Sequence, residues 1–260
     1  MRIKLLKLLS GSILLSAAIA SSAQEHLVEL DIGRGSARLP IYAMKNSNSV
    51  ATVILLPGGN AGMGEVVDGR PTSQNFLSRT RNEFYNAGFN VLVVFRPTDL
   101  KGLDYDYRVS EQHIGELGRA IEFAKDFGKP IWLIGTSRGT VSATATVISR
   151  DGRDIQGLVL TASVTPSKYT GAVPTQNIAS IKIPTLVVHH KNDACRGSPP
   201  DEASRITPAM ESASVRKFVM IEGGSQPKGN VCGGGHWHGF INFEKETVGM
   251  ISNWIKNPQN

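Results

Sequence analysis

Two stretches near the start of the chain, residues 26–32 and 37–44, alternate apolar and polar side chains around Gly33-Arg34-Gly35-Ser36. A period of two puts alternate side chains on opposite faces of a strand, so this pair predicts an antiparallel hairpin. Farther on the pattern changes. Residues 50–56, 90–95, 130–134, 156–160 and 183–189 are short, nearly unbroken apolar runs, as expected of parallel strands covered on both faces. One more strand is expected over 215–221. Segments of helical length lie between these runs, at 73–87, 110–127 and 137–150, with another near 200–210 and a closing one at 244–255. Within them, Ile114, Leu117, Ile121 and Ala124 recur at helical spacing and are expected to face the sheet, and Val248, Ile251 and Ile255 share a face. Alternating strands and helices imply crossovers. The pattern predicts an α/β fold with a mostly parallel central sheet, helices on both faces and an N-terminal antiparallel hairpin.

Ahead of the hairpin, Arg2, Lys4 and Lys7 precede an apolar run over 8–20 that ends in small residues. This is the form of a secretory signal peptide. Cleavage is expected after Ala20 or, preferably, after Ala23, which leaves one domain over 24–260 in the periplasm or outside the cell. The run is shorter than the roughly 20 apolar residues of a spanning helix, so no stable membrane insertion is expected after cleavage. Losing those three basic residues would lower the formal net charge from +6 to +3. With no block of Lys and Arg, and no basic residues interleaved with aromatics, nucleic acid is excluded as a partner. The 40% hydrophobic and 19% charged residues leave no room for a long disordered region. Cys195 and Cys232 are the only cysteines. An even count in an exported chain suggests a disulfide, the alternative being two buried thiols, and one pair cannot complete a structural zinc site.

The run at 130–134 leads into Gly135-Thr136-Ser137-Arg138-Gly139 and then into a helix rich in small residues. G-x-S-x-G between strand and helix projects its serine from a sharp turn, at a helix N-terminus that favours negative charge. Ser137 is therefore the candidate nucleophile. The glycines of Pro57-Gly58-Gly59-Asn60, after the first parallel strand, allow backbone N–H groups to approach a substrate closely. Gly59 or Asn60, together with Arg138, are the candidate oxyanion donors. Asp193, in the loop after the run at 183–189, is the candidate acid, because the loop after 156–160 offers no carboxylate. Of six histidines only His236 and His238 follow that acid. His238 is preferred as base because it lies just before the closing helix, with Gly239 leaving space beside it and Phe240 fixing the loop's end. His236, after three glycines, is expected to be less constrained and to border the pocket.

The order Ser137, Asp193, His238 matches the order of nucleophile, acid and base in the α/β-hydrolase superfamily. The chain resembles that superfamily through GTSRG, LLPGG, HHKND and HGF. More narrowly, it is similar to a group of exported bacterial serine hydrolases that carry GTSRGT, a DAC after the late strand and a C…HGF near the end. The resemblance implies the Ser137–Asp193–His238 triad and a Cys195–Cys232 bridge. It does not imply a substrate; from the triad itself, hydrolysis of a small-molecule ester is expected, with an amide less favoured and no metal or other cofactor needed. Acyl transfer by the same triad and a non-catalytic binding role are the alternatives. No long cap insertion is visible, since 165–181 is the only sizeable segment available for one, and a shallow, open pocket is expected. The sequence assigns no oligomeric state.

Overall fold

A computed structural model describes residues 24–259; the expected signal peptide at 1–23 lies outside them. The strands are β1 (Gln24–Asp31), β2 (Arg38–Lys45), β3 (Ala51–Leu56), β4 (Val66–Val67), β5 (Arg70–Pro71), β6 (Phe89–Val94), β7 (Ile131–Thr136), β8 (Gly157–Thr161), β9 (Thr185–His190) and β10 (Arg216–Ile221). The helices are α1 (Phe76–Arg79), α2 (Arg81–Asn86), α3 (Tyr105–Arg108), α4 (Glu111–Lys125), α5 (Arg138–Ser149), α6 (Pro200–Ala203), α7 (Ile206–Ala209) and α8 (Glu244–Lys256). Eight strands form one sheet in the order β1-β2-β6-β3-β7-β8-β9-β10, and β4 pairs separately with β5. From β6 to β10 every neighbouring pair is parallel, whereas the expected hairpin β1–β2 joins the sheet antiparallel through β2.

The unbroken apolar runs are explained by two cores. Ile54, Leu133, Leu158, Leu160 and Val187 pack on one face of the sheet, with Leu117, Ile121 and Ala143 of α4 and α5. Val53, Leu55, Ile134, Val159 and Val188 pack on the other, with Phe76, Phe84, Val248 and Ile251 of α1, α2 and α8. Successive strand residues enter opposite cores, so the middle of each strand is apolar on both faces, and buried polar residues such as Thr52, Asn90, Thr161 and Thr185 fall toward the strand ends.

Several expectations are corrected. The segment 73–87 is two short helices, because Thr80 leaves helical geometry (φ −97°, ψ 11°) while its hydroxyl donates to the Phe76 carbonyl at 2.8 Å. Such back-bonding competes with the helix's own ladder. The helix expected near 200–210 likewise divides into α6 and α7. Ile114 is only half-buried, and His113 and Glu116 turn inward beside Leu117, Ala120, Ile121 and Ala124. The face of α4 is rotated because these two polar groups find partners inside, described below. The segment 165–181 forms two short 3-10 turns, Val173–Thr175 and Ile178–Ser180, and no helical cap. The hairpin β4–β5 and helix α3 are additions.

Candidate active site

β7 ends at Thr136 and α5 begins at Arg138, so Ser137 alone makes the turn between them. Its φ of 52° and ψ of −127° lie where non-glycine residues rarely sit, at a cost of about 1–3 kcal/mol. A Cβ on Gly135 would lie 2.6 Å from the Gly139 carbonyl oxygen, and one on Gly139 would collide with that of Leu56. The motif's glycines are therefore where α5 crosses closest over the strands. Ser137 is locked into the turn because its N–H donates to Thr161 O (3.0 Å) and its carbonyl accepts from the Thr140 N–H (2.9 Å). Gly58 brings the loop after β3 against Ser137, since a Cβ there would lie 2.7 Å from Ser137 Cβ.

Asp193 follows β9, whose carboxyl end opens at the same sheet edge as that of β7. Its Oδ1 accepts the Cys195 N–H at 2.9 Å and its Oδ2 accepts His238 Nδ1 at 2.8 Å. Both side chains are buried. With Nδ1 donating to a carboxylate, the neutral imidazole keeps its lone pair on Nε2. That atom is buried and has no partner. Ser137 and His238 line one cavity of about 260 Å³ together with Gly58, Gly59, Asn60 and Cys232. The structure thus joins Asp193 to His238 directly, while Ser137 and His238 share a cavity without a hydrogen bond between them.

The segment that carries His238 is held tightly. Cys232 is disulfide-bonded to Cys195, with Cα atoms 4.7 Å apart, which ties it to the Asp193 loop. Arg79 reaches across to donate to Gly239 O (2.6 Å), Glu244 Oε1 (2.8 Å) and Gln74 O (2.9 Å). The three glycines were expected to loosen this segment, and they do the opposite. A Cβ on Gly234 would strike the Gln74 carbonyl, and one on Gly239 would strike the Gly234 backbone. Glycine here permits close packing instead of mobility, and Gly239 makes room for Gly234, not for the imidazole. His236 is consequently buried edge-on against Trp237, its carbonyl accepting from Gly239 N–H (2.9 Å) and Ile241 N–H (3.3 Å), and it does not line the cavity. Phe240 is fully buried against Phe76, with ring centroids 4.7 Å apart.

The loop of Gly58, Gly59 and Asn60 stands on a buried residue that the sequence does not mark. Arg108, at the end of α3, is 1% exposed and donates to Pro57 O (3.2 Å), Gly59 O (3.2 Å) and Ser142 Oγ (2.9 Å). Ser142 Oγ also meets His113 Nε2 at 3.0 Å, and His113 Nδ1 meets Glu116 Oε2 at 3.2 Å. Glu116 Oε1 accepts from Arg34 (2.7 Å) and from the Tyr107 hydroxyl (2.6 Å). Burial pulls the pKa of both Arg108 and His113 down, and His113–Glu116 hydrogen bonding acts against this for the histidine. Because a trans peptide points its N–H away from its C=O, anchoring the Gly59 carbonyl turns the Asn60 N–H to the opposite side. Neither Gly59 N–H nor Asn60 N–H donates to a described group. Arg138 N–H, the first of a helix, has no intrahelical acceptor.

The other histidines of β9 are structural. His189 Nε2 accepts the Ser163 N–H at 2.7 Å, and burial, with His238 nearby, pushes its pKa down to about 3. His190 bonds to Gly223 O at 2.9 Å and to the Asn192 N–H at 3.1 Å. Among the described residues, no cluster of three or more His, Cys, Asp or Glu side chains is arranged to hold a metal ion, and no helix is long and apolar enough to cross a membrane.

No protein-family model matches the chain, and no curated protein matches it. Solved structures do. A CIB-like hydrolase from Thermoplasma acidophilum superposes with a TM-score of 0.61 at 14% identity, over 91% of this chain and 100% of its own. A cold-adapted esterase from an Arctic intertidal metagenomic library gives 0.59 at 13% identity, over 90% of this chain and 94% of its own. A dienelactone hydrolase from Anabaena variabilis gives 0.60 at 14% identity, over 92% and 99%. Identities this low speak to architecture alone, and with the sheet order above they are enough to state that the chain has the α/β-hydrolase fold.

Proposed function

We propose that the protein is an exported serine hydrolase that cleaves a small-molecule ester, in preference to an amide, through an acyl-enzyme. The observation that carries this reading is the strained Ser137 turn beside a buried His238–Asp193 pair whose free Nε2 borders the same cavity. Catalytic hydrogen bonds are commonly long in an empty site and close when substrate is bound. In this reading His238 Nε2 takes the proton of Ser137 Oγ as the oxygen attacks the ester carbonyl, and Asp193 stabilises the imidazolium. The tetrahedral oxyanion is met by the N–H groups of Asn60 and Arg138, with Gly59 the alternative to Asn60. Collapse expels the alcohol, which takes the proton from Nε2. Water then attacks the acyl-enzyme, giving its proton to the same nitrogen, and the acid leaves as Ser137 Oγ is reprotonated. Residues 1–23 serve as the signal peptide, and the Cys195–Cys232 bridge suits an oxidising compartment such as the periplasm.

The test is steady-state hydrolysis of p-nitrophenyl esters of increasing chain length. Ser137→Ala is expected to lower kcat by about 10⁴-fold or more with the fold intact by circular dichroism. Retained activity would remove Ser137 from the role of nucleophile.

A further inference from the structure

The cavity at Ser137 adjoins a larger one of about 610 Å³, and the two share Asn60, Gly62, Ser73 and Gln74 as walls. No aspartate or glutamate lines either. Arg96 is the one lysine or arginine in the two linings. It stands just past β6, partly buried, with Nε donating to Leu100 O at 3.0 Å. Among the described residues no carboxylate pairs with it, so Nη1 and Nη2 keep their donors. Nη1 lies only 2.7 Å from where a Gly62 Cβ would be, and Asn60 Oδ1 lies 3.2 Å from the same point. The guanidinium is thus seated on Gly62, beside the side chain of the oxyanion loop. Gly62 leaves room for it.

Several other arginines are already engaged. Arg34, Arg79 and Arg150 each hold a carboxylate, and the cavity bordered by Arg119, Arg150 and Arg153 also has Glu122 and Asp151 in its walls. Arg138, next to the nucleophile, lies over the Tyr105 ring at 4.8 Å and lines neither cavity. A planar fork of free N–H donors in an acid-free cavity that shares walls with the one at Ser137 matches a carboxylate in charge and in geometry.

We propose that the ester this enzyme takes carries a carboxylate, held by Arg96 in the larger cavity while the ester carbonyl lies at Ser137. The inference rests on the esterase reading above. Arg96 is then a specificity residue, and its bond to substrate is a charge-assisted one that discriminates by roughly 10- to 100-fold.

The experiment compares kcat/KM for two matched pairs of esters. In the first, mono-p-nitrophenyl glutarate is set against p-nitrophenyl pentanoate, which puts the carboxylate on the acyl side. In the second, 4-acetoxybenzoate is set against 4-methylphenyl acetate, which puts it on the leaving side. The expected result is a preference of at least about tenfold for the charged member of one pair, expressed mainly in KM. Arg96→Gln should cut that preference by about tenfold or more and Arg96→Lys should keep part of it, whereas Arg119→Gln, at the distant cavity, should keep all of it. Preference below about twofold in both pairs, or preference that survives Arg96→Gln, overturns the proposal. Should Arg96→Gln fail to fold, the parent enzyme still decides: monomethyl glutarate should inhibit turnover of the neutral ester at lower concentration than dimethyl glutarate, and equal inhibition overturns the proposal. Turnover of neutral esters without such preference removes only the carboxylate site. Absence of all ester turnover removes the esterase reading itself.

Discussion

Ser137 holds a backbone conformation that its side chain does not favour, and Gly58, Gly135 and Gly139 are glycine because neighbouring backbone leaves no space for a Cβ. Those residues were legible in the sequence, since a motif between an apolar run and a helix states both the turn and the reason for it. That His238 meets Asp193 was legible through their places in chain order. The role of His236 was misread, because glycines were taken to mean slack where they mean contact. On one activated ester, His238→Ala is expected to lose about 10³-fold or more in kcat/KM, and His236→Ala to stay within about tenfold of the parent. The reverse pattern would transfer the base to His236. Arg108 was not legible: nothing in Asp-Tyr-Asp-Tyr-Arg-Val-Ser distinguishes a surface arginine from one buried under Pro57 and Gly59. Under the proposed mechanism Arg108 is a positioning residue that acts through the orientation of Asn60 N–H. Arg108→Met is expected to lower kcat by about 10²-fold with KM little changed, since the donor it aligns matters chiefly in the transition state. Arg108→Lys should restore part of that loss. If both variants merely lower the urea midpoint and keep kcat per folded molecule, Arg108 serves stability alone.

At the scale of elements, two loops from different strands must meet for Asp193 and His238 to bond, and they are joined two ways, by the Asp193–His238 hydrogen bond and by the Cys195–Cys232 bridge. The Arg79 clamp on Gly239 and Glu244 separately steadies the His238 loop from the α1 side. The bridge closes a separation of 37 residues, so in the chain-entropy model it stabilises the fold by roughly 3 to 4 kcal/mol. Reduction at neutral pH is expected to lower esterase activity at denaturant concentrations where circular dichroism still reports a folded protein, because the loops lose mutual support before the sheet does. Activity and ellipticity falling together would show that the bridge supports the domain as a whole. The elements themselves were legible to different degrees. Strands that enter two cores read as continuous apolar runs and were placed to within a few residues. The segments 73–87 and 200–210 read as single helices because side-chain hydrogen bonds such as Thr80 Oγ1 to Phe76 O leave no mark on periodicity. Helix α4 was placed correctly with its face turned, because polar His113 and Glu116 pack inward on a network that only the fold assembles.

At the scale of the whole molecule, the fold was legible because strand and helix alternate with little interruption, and a parallel sheet then brings the loops after β3, β7 and β9 to one edge. What the sequence did not reveal is what these loops enclose together with those after β6 and β10: the shared walls of the two cavities, Arg96 in one of them, and the hydrogen-bonded chain that runs from Arg34 to the buried Arg108. Each depends on residues distant in sequence meeting where no local pattern announces it. A working nucleophile at this edge would react covalently with an electrophilic probe. Purified mature protein would be treated with a fluorophosphonate, digested and mapped by mass spectrometry. The expected result is one adduct per chain, located on Ser137, abolished in Ser137→Ala and slowed strongly in His238→Ala. An unlabelled protein, or an adduct on another residue that persists in Ser137→Ala, would contradict it.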